Sequence, residues 1–303
     1  MKQLVAILFL FFAVVGIAQA ADRASVSVTH AFGTVSIPLA PERVVVMDFG
    51  MLDTLDALGI QARLAVPKGN LPAYLAKYGG QEYTDVGGLK EFNLETINAF
   101  KPELIIISAR QQDYYKELSS IAPVYFVDNL SRDSLASARK NITAIGAIFG
   151  MKENVDHAWD ILAQAVARVR EKAVSHNKRA LVLLTNDGKI SAYGSGSRFG
   201  IIYDDLGLPQ ADPAIKVGIH GQLVNYEYLA MVNPDIIFVV DRSAAVGGNA
   251  RGIRLLDNAL VAKTNASKND RIVALPPDYW YLSGGGLQSL ARMVDDIENA
   301  LGK

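Results

Sequence analysis

The chain has 303 residues, half of them hydrophobic and a fifth charged, which suffices for two domains with packed cores. With 30 basic and 31 acidic residues its formal net charge is −1, so it carries no footprint for nucleic acid or an anionic membrane. It contains no cysteine, which excludes disulfides, thiolate metal sites and cysteine nucleophiles.

Residues 1–20 read as a signal peptide. Lys2 supplies a positive n-region, Leu4–Ile17 an apolar stretch and Ala18-Gln19-Ala20 a cleavage site. The stretch is short for a bilayer span, and no stop-transfer pattern follows. The expected location is therefore the periplasm, with no cysteine to carry a lipid anchor. Removing Lys2 leaves 29 basic residues (30 − 1) against 31 acidic ones, a net charge of about −2.

Ser25–Ala40 predicts a hairpin, Val44–Asp48 a buried strand and Met51–Leu58 a helix closed by Gly59. Val66–Gly80 predicts a loop or short helix, and Val86-Gly87-Gly88 turns into NLETINAFKPELIIISAR, Asn93–Arg110. A helix over Tyr114–Ile121 and a strand over Val124–Val127 follow. The proline-free stretch Ser134–His176 predicts two helices broken at Gly150. The second, Glu153–His176, is long enough to connect domains, with His157 and His176 on its solvated face. Beyond it, Ala180–Leu184 and Lys189–Tyr193 predict strands, and GSGSRFG (Gly194–Gly200) a loop. Ile201–Leu206 predicts a helix ended by Gly207. VNYEYLAMVNPDIIFVVDR (Val224–Arg242) precedes a loop at Ala244–Gly252 and a helix near Leu255–Thr264. The strand Ile272–Leu275, the turn DYWYLSGGG (Asp278–Gly286) and an amphipathic helix, Leu287–Leu301, complete the chain.

One pattern occurs twice. Glu95 and Glu227 each stand seven residues before a proline, Pro102 and Pro234; an acid and an apolar run follow, and Arg110 and Arg242 close the units. The spacing predicts a short helix, a turn and a buried strand ending in a cation. Asp56-Ala57-Leu58-Gly59 likewise matches Asp204-Asp205-Leu206-Gly207. The expected domains are an amino-terminal α/β lobe (21–152), a connecting helix (153–176) and a carboxy-terminal α/β lobe (177–303).

Enzyme signatures are missing. Gly194-x-Gly196-x-x-x-Gly200 misses the dinucleotide fingerprint by one residue and follows the wrong strand. The sequence has no G-x-S-x-G, no H-E-x-x-H and no P-loop, and four histidines cannot furnish an imidazole-rich zinc pocket. What gathers instead at strand ends and glycine turns is Arg110, Arg198, Arg242, His220, Tyr279, Trp280 and Tyr281. Taken singly, an arginine is more often half of a surface ion pair, and aromatic packing beside Trp280 is the lesser alternative for Tyr281. Together, at the positions where open α/β sheets bind ligands, they point to an anionic, aromatic ligand.

The stretches NLETINAFKPELIIISARQ, KISAYGSGSRFGIIYDDLG, KVGIHGQ, NPDIIFVVDR, LDNALVAKT and DYWYLSGGGL resemble periplasmic binding proteins for ferric catecholate siderophores. The likeness is to the enterochelin-uptake branch of the helix-linked (class III) binding proteins that serve ABC importers. It covers essentially the whole chain after residue 20. It implies two Rossmann-like α/β lobes joined by a single long backbone helix, with the ligand cleft between them. It implies a monomeric binding protein, not an enzyme, with no intrinsic cofactor and Fe(III) arriving through the siderophore.

Carried over residue by residue, the resemblance places a basic triad for catecholate oxygens at Arg110, Arg198 and Arg242, with Tyr279 and Trp280 beside it. It places His220 and Tyr281 where they would complete an iron shell left open by a bis-catecholate. Glu95 and Glu227 match the pair that docks on the inner-membrane permease, although an ordinary solvated glutamate has the same local sequence. Another iron chelate, haem or a hydroxamate, is the alternative cargo; a secreted α/β hydrolase acting on siderophores is the alternative of another class.

Overall fold

A computed structural model of the chain describes residues 24–128, 134–216, 218 and 220–302. The signal-peptide expectation lies outside the described residues. A hairpin of β1 (Ser25–His30) and β2 (Gly33–Pro38) opens the described chain. The first lobe builds a parallel sheet from β3 (Arg43–Val46), β4 (Arg63–Val66), β5 (Thr84–Asp85), β6 (Leu104–Ser108) and β7 (Val124–Val127). Their spatial order is β5-β4-β3-β6-β7. The second lobe uses β8 (Ala180–Asn186), β9 (Lys189–Tyr193), β10 (Gln222–Val224), β11 (Ile236–Asp241) and β12 (Ile272–Leu275), in the order β10-β9-β8-β11-β12. Here β8, β11 and β12 are parallel, whereas β9 pairs antiparallel with both β8 and β10. The reversal has a local cause: Asp187 and Gly188, at φ 48° and 79°, form a two-residue turn that folds β8 back into β9.

Both sheets are covered on both faces, which is why their central strands are continuous apolar runs rather than alternating ones. In β6, Leu104 and Ile106 join the large inner core, and Ile105 and Ile107 pack against a separate outer cluster. The 25-residue helix Lys152–His176 joins the lobes and is about 37 Å long at 1.5 Å per residue. Its buried stripe, Val155, Trp159, Leu162, Val166, Val169 and Ala173, steps by four and three residues, as one apolar helical face requires. His157 and His176 are exposed on it. No helix among the described residues is long and apolar enough to cross a membrane.

The twofold sequence pattern is a twofold structural one. The helices Leu94–Phe100 and Tyr226–Val232 begin at Asn93 and Asn225, whose side chains each accept a backbone N–H at 2.9 Å. They end at Lys101 and Asn233, both left-handed, one residue before the prolines. The copies also share an arginine clamp. Arg43 donates to the Lys101 carbonyl (2.6 Å) and pairs with Glu103 (2.9 Å). Arg179 donates to the Asn233 carbonyl (2.7 Å) and pairs with Asp235 (3.4 Å). In each lobe the arginine stands at the start of the central strand, so the clamp fixes the helix end to the sheet.

The last helix, Leu287–Leu301, crosses to the first lobe. Asp53 accepts from the N–H groups of Gln288 and Ser289, both at 2.7 Å, capping that helix from 235 and 236 residues away in sequence. Tyr74 bonds Asp53 (2.9 Å) and Ser283 (2.6 Å), and the Ala73 N–H donates to Asp278 (3.0 Å). The residues before and within the last helix are therefore fastened to the amino-terminal lobe.

Several local expectations change. The helix expected near Leu255–Thr264 is two short turns, Gly252–Leu256 and Val261–Lys263, because the Asn258 side chain takes the Leu260 N–H (2.8 Å) and interrupts regular pairing. Helical structure at Ile201–Leu206 stops at Asp204, and the helix expected over Tyr114–Ile121 is confined to Tyr115–Ser119 after a tighter turn. The strands β4, β5 and β10 are too short or too polar to stand out by periodicity.

Candidate ligand-binding cleft

Residues of both lobes line a cavity of about 430 Å³. Arg110 reaches it from the turn after β6. Gln111 fixes that turn: its side-chain oxygen accepts the Ser108 N–H (3.1 Å) and its amide donates to the Leu89 carbonyl (2.5 Å). This ties Arg110 to the loop that carries Lys90, another cavity residue.

Arg198 comes from the glycine loop after β9. Asp204 accepts the Gly196 N–H (2.8 Å) and the Ser195 hydroxyl, while the Ser197 hydroxyl donates to the Gly194 carbonyl (2.6 Å). Gly200 is required here: a Cβ would lie 2.6 Å from an Asp204 oxygen and 2.9 Å from the Ser197 carbonyl.

Tyr281 sits on a single wide π-type turn, Asp278–Leu282, a geometry frequent at functional sites. All three arginines of the expected triad converge on it. Arg110 and Arg198 donate to its main-chain oxygen at 3.1 and 3.0 Å. Arg242 donates through Nε to its phenolic oxygen at 2.8 Å and through Nη1 to the Asn186 side-chain oxygen at 2.7 Å. The Arg198 guanidinium also stacks 4.4 Å from the Tyr281 ring centroid.

The electrostatics follow. Burial and then the neighbouring Arg110 push the Arg198 guanidinium below its ordinary range. For Tyr281, burial pulls the phenol up, but Arg198, the Arg242 hydrogen bond and Arg110 together outweigh it, so ionisation is easier than for a free tyrosine. Asp48, behind Arg110, is pushed up mainly by burial, with Arg110 and the Met51 N–H opposing. The cleft concentrates fixed positive charge although the chain is slightly acidic overall.

Of the residues singled out in the sequence, Arg110, Arg198, His220, Trp280 and Tyr281 line the cavity. Arg242 stands behind the Tyr281 hydroxyl, outside the lining. Tyr279 also lies outside it, its ring 4.6 Å from that of Tyr74. Trp280 contributes to the wall, but its ring is 2% exposed and its indole N–H donates to Asp296 at 2.9 Å. His220 is exposed in a loop held by Gly221, where a Cβ would strike the Tyr193 ring at 2.6 Å. Glu95 and Glu227 are exposed in the first turns of their matching helices and do not line the cavity.

Lys90, Gln112, Asp128 and Asn141 line the cavity without having stood out in the sequence. Lys90 had a signal, since it follows the Gly87-Gly88 turn beyond a strand end. Asn141 had none: it is a mid-helix residue whose amide happens to hold the Asp128 carbonyl (2.9 Å) and the Tyr125 hydroxyl (3.0 Å). Among the described residues no cluster of three His, Asp or Glu side chains is placed to hold a metal ion.

Residues 44–279 match the family model described as periplasmic binding protein. The petrobactin-binding protein YclQ of Bacillus subtilis is 42% identical over 268 residues, 88% of this chain and 84% of YclQ. Its crystal structure superposes with a TM-score of 0.88 at 40% identity, covering 93% of this chain and all of YclQ. The iron-uptake ABC transporter substrate-binding protein PiuA of Streptococcus pneumoniae gives a TM-score of 0.86 at 36% identity, covering 92% of this chain and 99% of PiuA. The periplasmic catecholate-siderophore binding protein VctP of Vibrio cholerae gives 0.85 at 31% identity, covering 91% and 100%.

Proposed function

The chain belongs to the periplasmic binding protein family, and from that premise we propose that it captures ferric catecholate siderophores for an inner-membrane ABC importer. It is a binding protein, not an enzyme. Its relatives include a protein named for petrobactin, one named for catecholate siderophores and one named as an iron-uptake ABC substrate-binding protein. The cargo class proposed is the ferric catecholate; enterobactin, indicated by the motif resemblance, and petrobactin, named for the Bacillus relative, are the members to compare.

The observation that carries this reading is the convergence of Arg110 and Arg198, one from each lobe, on Tyr281 at the cavity wall. A tris-catecholate iron complex carries about −3, and guanidinium groups offer permanent charge with several directed donors. At an effective dielectric near 20, each contact near 4 Å supplies roughly 4 kcal/mol before desolvation is subtracted. The phenol of Tyr281, eased towards ionisation by its arginines, suits hard Fe(III), and His220 lines the same cavity. These two residues would close the positions that a bis-catecholate leaves open. Glu95 and Glu227, matched and exposed, are proposed to orient the protein on the permease.

Titration with ferric enterobactin and with ferric petrobactin tests the reading. Trp280, beside Tyr281, is the fluorescence reporter. Quenching with intact siderophore recovered supports it; release of siderophore fragments, or no response to either complex, overturns it.

A further inference from the structure

We propose that Asn186 is a positioning residue for the phenol of Tyr281, acting through Arg242. This rests on the siderophore reading above and adds to it a residue that no sequence motif singled out.

The geometry is a relay of two hydrogen bonds. The Asn186 side-chain oxygen accepts from Arg242 Nη1 at 2.7 Å, and Arg242 Nε donates to the Tyr281 phenolic oxygen at 2.8 Å. Both bonds use one rigid guanidinium plane, so fixing Nη1 also fixes the direction of the Nε–H. The two anchoring residues sit at adjacent strand ends, Asn186 as the last residue of β8 and Arg242 as the first of the short helix after β11. Those strands are parallel neighbours in register through Thr185 and Asp241. Asn186 also pairs with Lys189 across the tight β8–β9 turn, which fixes its own backbone.

Tyr281 needs such a hold. Its turn is fastened to the first lobe through Asp278 and Ser283, whereas its side chain meets the second lobe through Arg198 and Arg242. Arg198 stacks on the ring face, and the bonds of 3.1 and 3.0 Å from Arg110 and Arg198 end on the main-chain oxygen. The directed bond to the phenolic oxygen comes from Arg242 Nε at 2.8 Å, with Arg198 also interacting with the Tyr281 side chain. Arg242 lies outside the cavity lining, which suits a supporting role there. Outer partners that orient a metal ligand typically matter by 10- to 100-fold in metal affinity.

Two measurements test the relay, one without ligand. With 3-fluorotyrosine placed at position 281, the ligand-free protein should give one sharp ¹⁹F resonance. That resonance should shift or broaden in Asn186→Ala and stay in place in Asn186→Asp, which keeps the acceptor. An unmoved resonance in Asn186→Ala overturns the relay whatever the cargo is. The second measurement compares a tetradentate ferric bis-catecholate with a hexadentate ferric tris-catecholate. Asn186→Ala should weaken the former about tenfold and weaken its tyrosinate-to-iron charge-transfer band, with the latter changed less than about twofold. Equal weakening of both would mean a general loss of the site and would overturn the positioning role. If the unsubstituted protein binds neither complex, the siderophore reading has failed, and the relay stands or falls on the fluorine resonance.

Discussion

Arg110 and Arg198 donate to one atom, the main-chain oxygen of Tyr281, although they belong to different lobes and carry the same charge. Arg110 is among the groups that push the Arg198 guanidinium down, so the pair is held together against mutual repulsion. A bound anion relieves that repulsion. Arg198→Gln should therefore weaken a ferric tris-catecholate by an order of magnitude or more, because a charge-assisted bond of about 1.5–3 kcal/mol is lost. The ligand-free protein should unfold within a few degrees of the original. Fluorescence titration and thermal unfolding on the same samples check both halves; unchanged affinity would remove Arg198 from the site.

Asp53 links stability to pH. Burial lifts its carboxyl to about 6, against the Gln288 and Ser289 N–H groups and the Tyr74 hydroxyl, which pull it down. The folded value is above the ordinary 3.8, so the group's stabilising contribution is complete below pH 3.8 and is lost as pH rises through 6. The gap of about two units corresponds to roughly 3 kcal/mol. Urea unfolding should show the original protein losing about 2–3 kcal/mol relative to Asp53→Asn between about pH 4 and pH 8. A stability difference independent of pH would contradict this.

Trp280 holds the last helix through one bond as well as by packing. Trp280→Phe retains most of the ring but leaves the Asp296 carboxylate without its indole donor. The expected cost is about 1–3 kcal/mol by urea unfolding, with Trp280→Ala costing about 3–5 kcal/mol. If Asp296→Asn costs nothing in the Trp280→Phe background, the bond is the cause, since the desolvated charge has gone.

Glu95 and Glu227 are exposed, so their contacts act on orientation and encounter rate more than on affinity. Charge reversal at both positions, Glu95→Arg with Glu227→Arg, should leave siderophore titrations unchanged and abolish delivery to the importer in vesicles. Single reversals should reduce it partially, and more at low salt than at high salt. Full delivery by the double variant would end the docking role.

The sequence carried the architecture where local pattern determines it. The buried runs of β6 and β11, the break at Gly150 and the stripe of the last helix are set by neighbours a few residues apart. The cation at each strand end was legible for the same reason, because the Glu–Pro–Arg spacing is local. What escaped depends on distant partners. Arg43 and Arg179 stand before comparable strands and an acid follows each proline, yet nothing in the chain says that these groups meet 60 and 56 residues apart. The three aromatics Tyr279, Trp280 and Tyr281 are equivalent as letters. The wide turn separates them, sending one against Tyr74, one into the core and one among the arginines.

The crossing of the last helix also sets an order of events for a chain made from its amino terminus. Asp53 cannot receive its two N–H partners until Leu287–Leu301 exists, so this part of the first lobe stays unfinished while nearly all of the protein is synthesised. Contacts this distant in sequence form late and slowly. The cap that finishes the first lobe thus lies in the 15-residue helix that closes the described chain, so the native pairing of Asp53 is among the last to form.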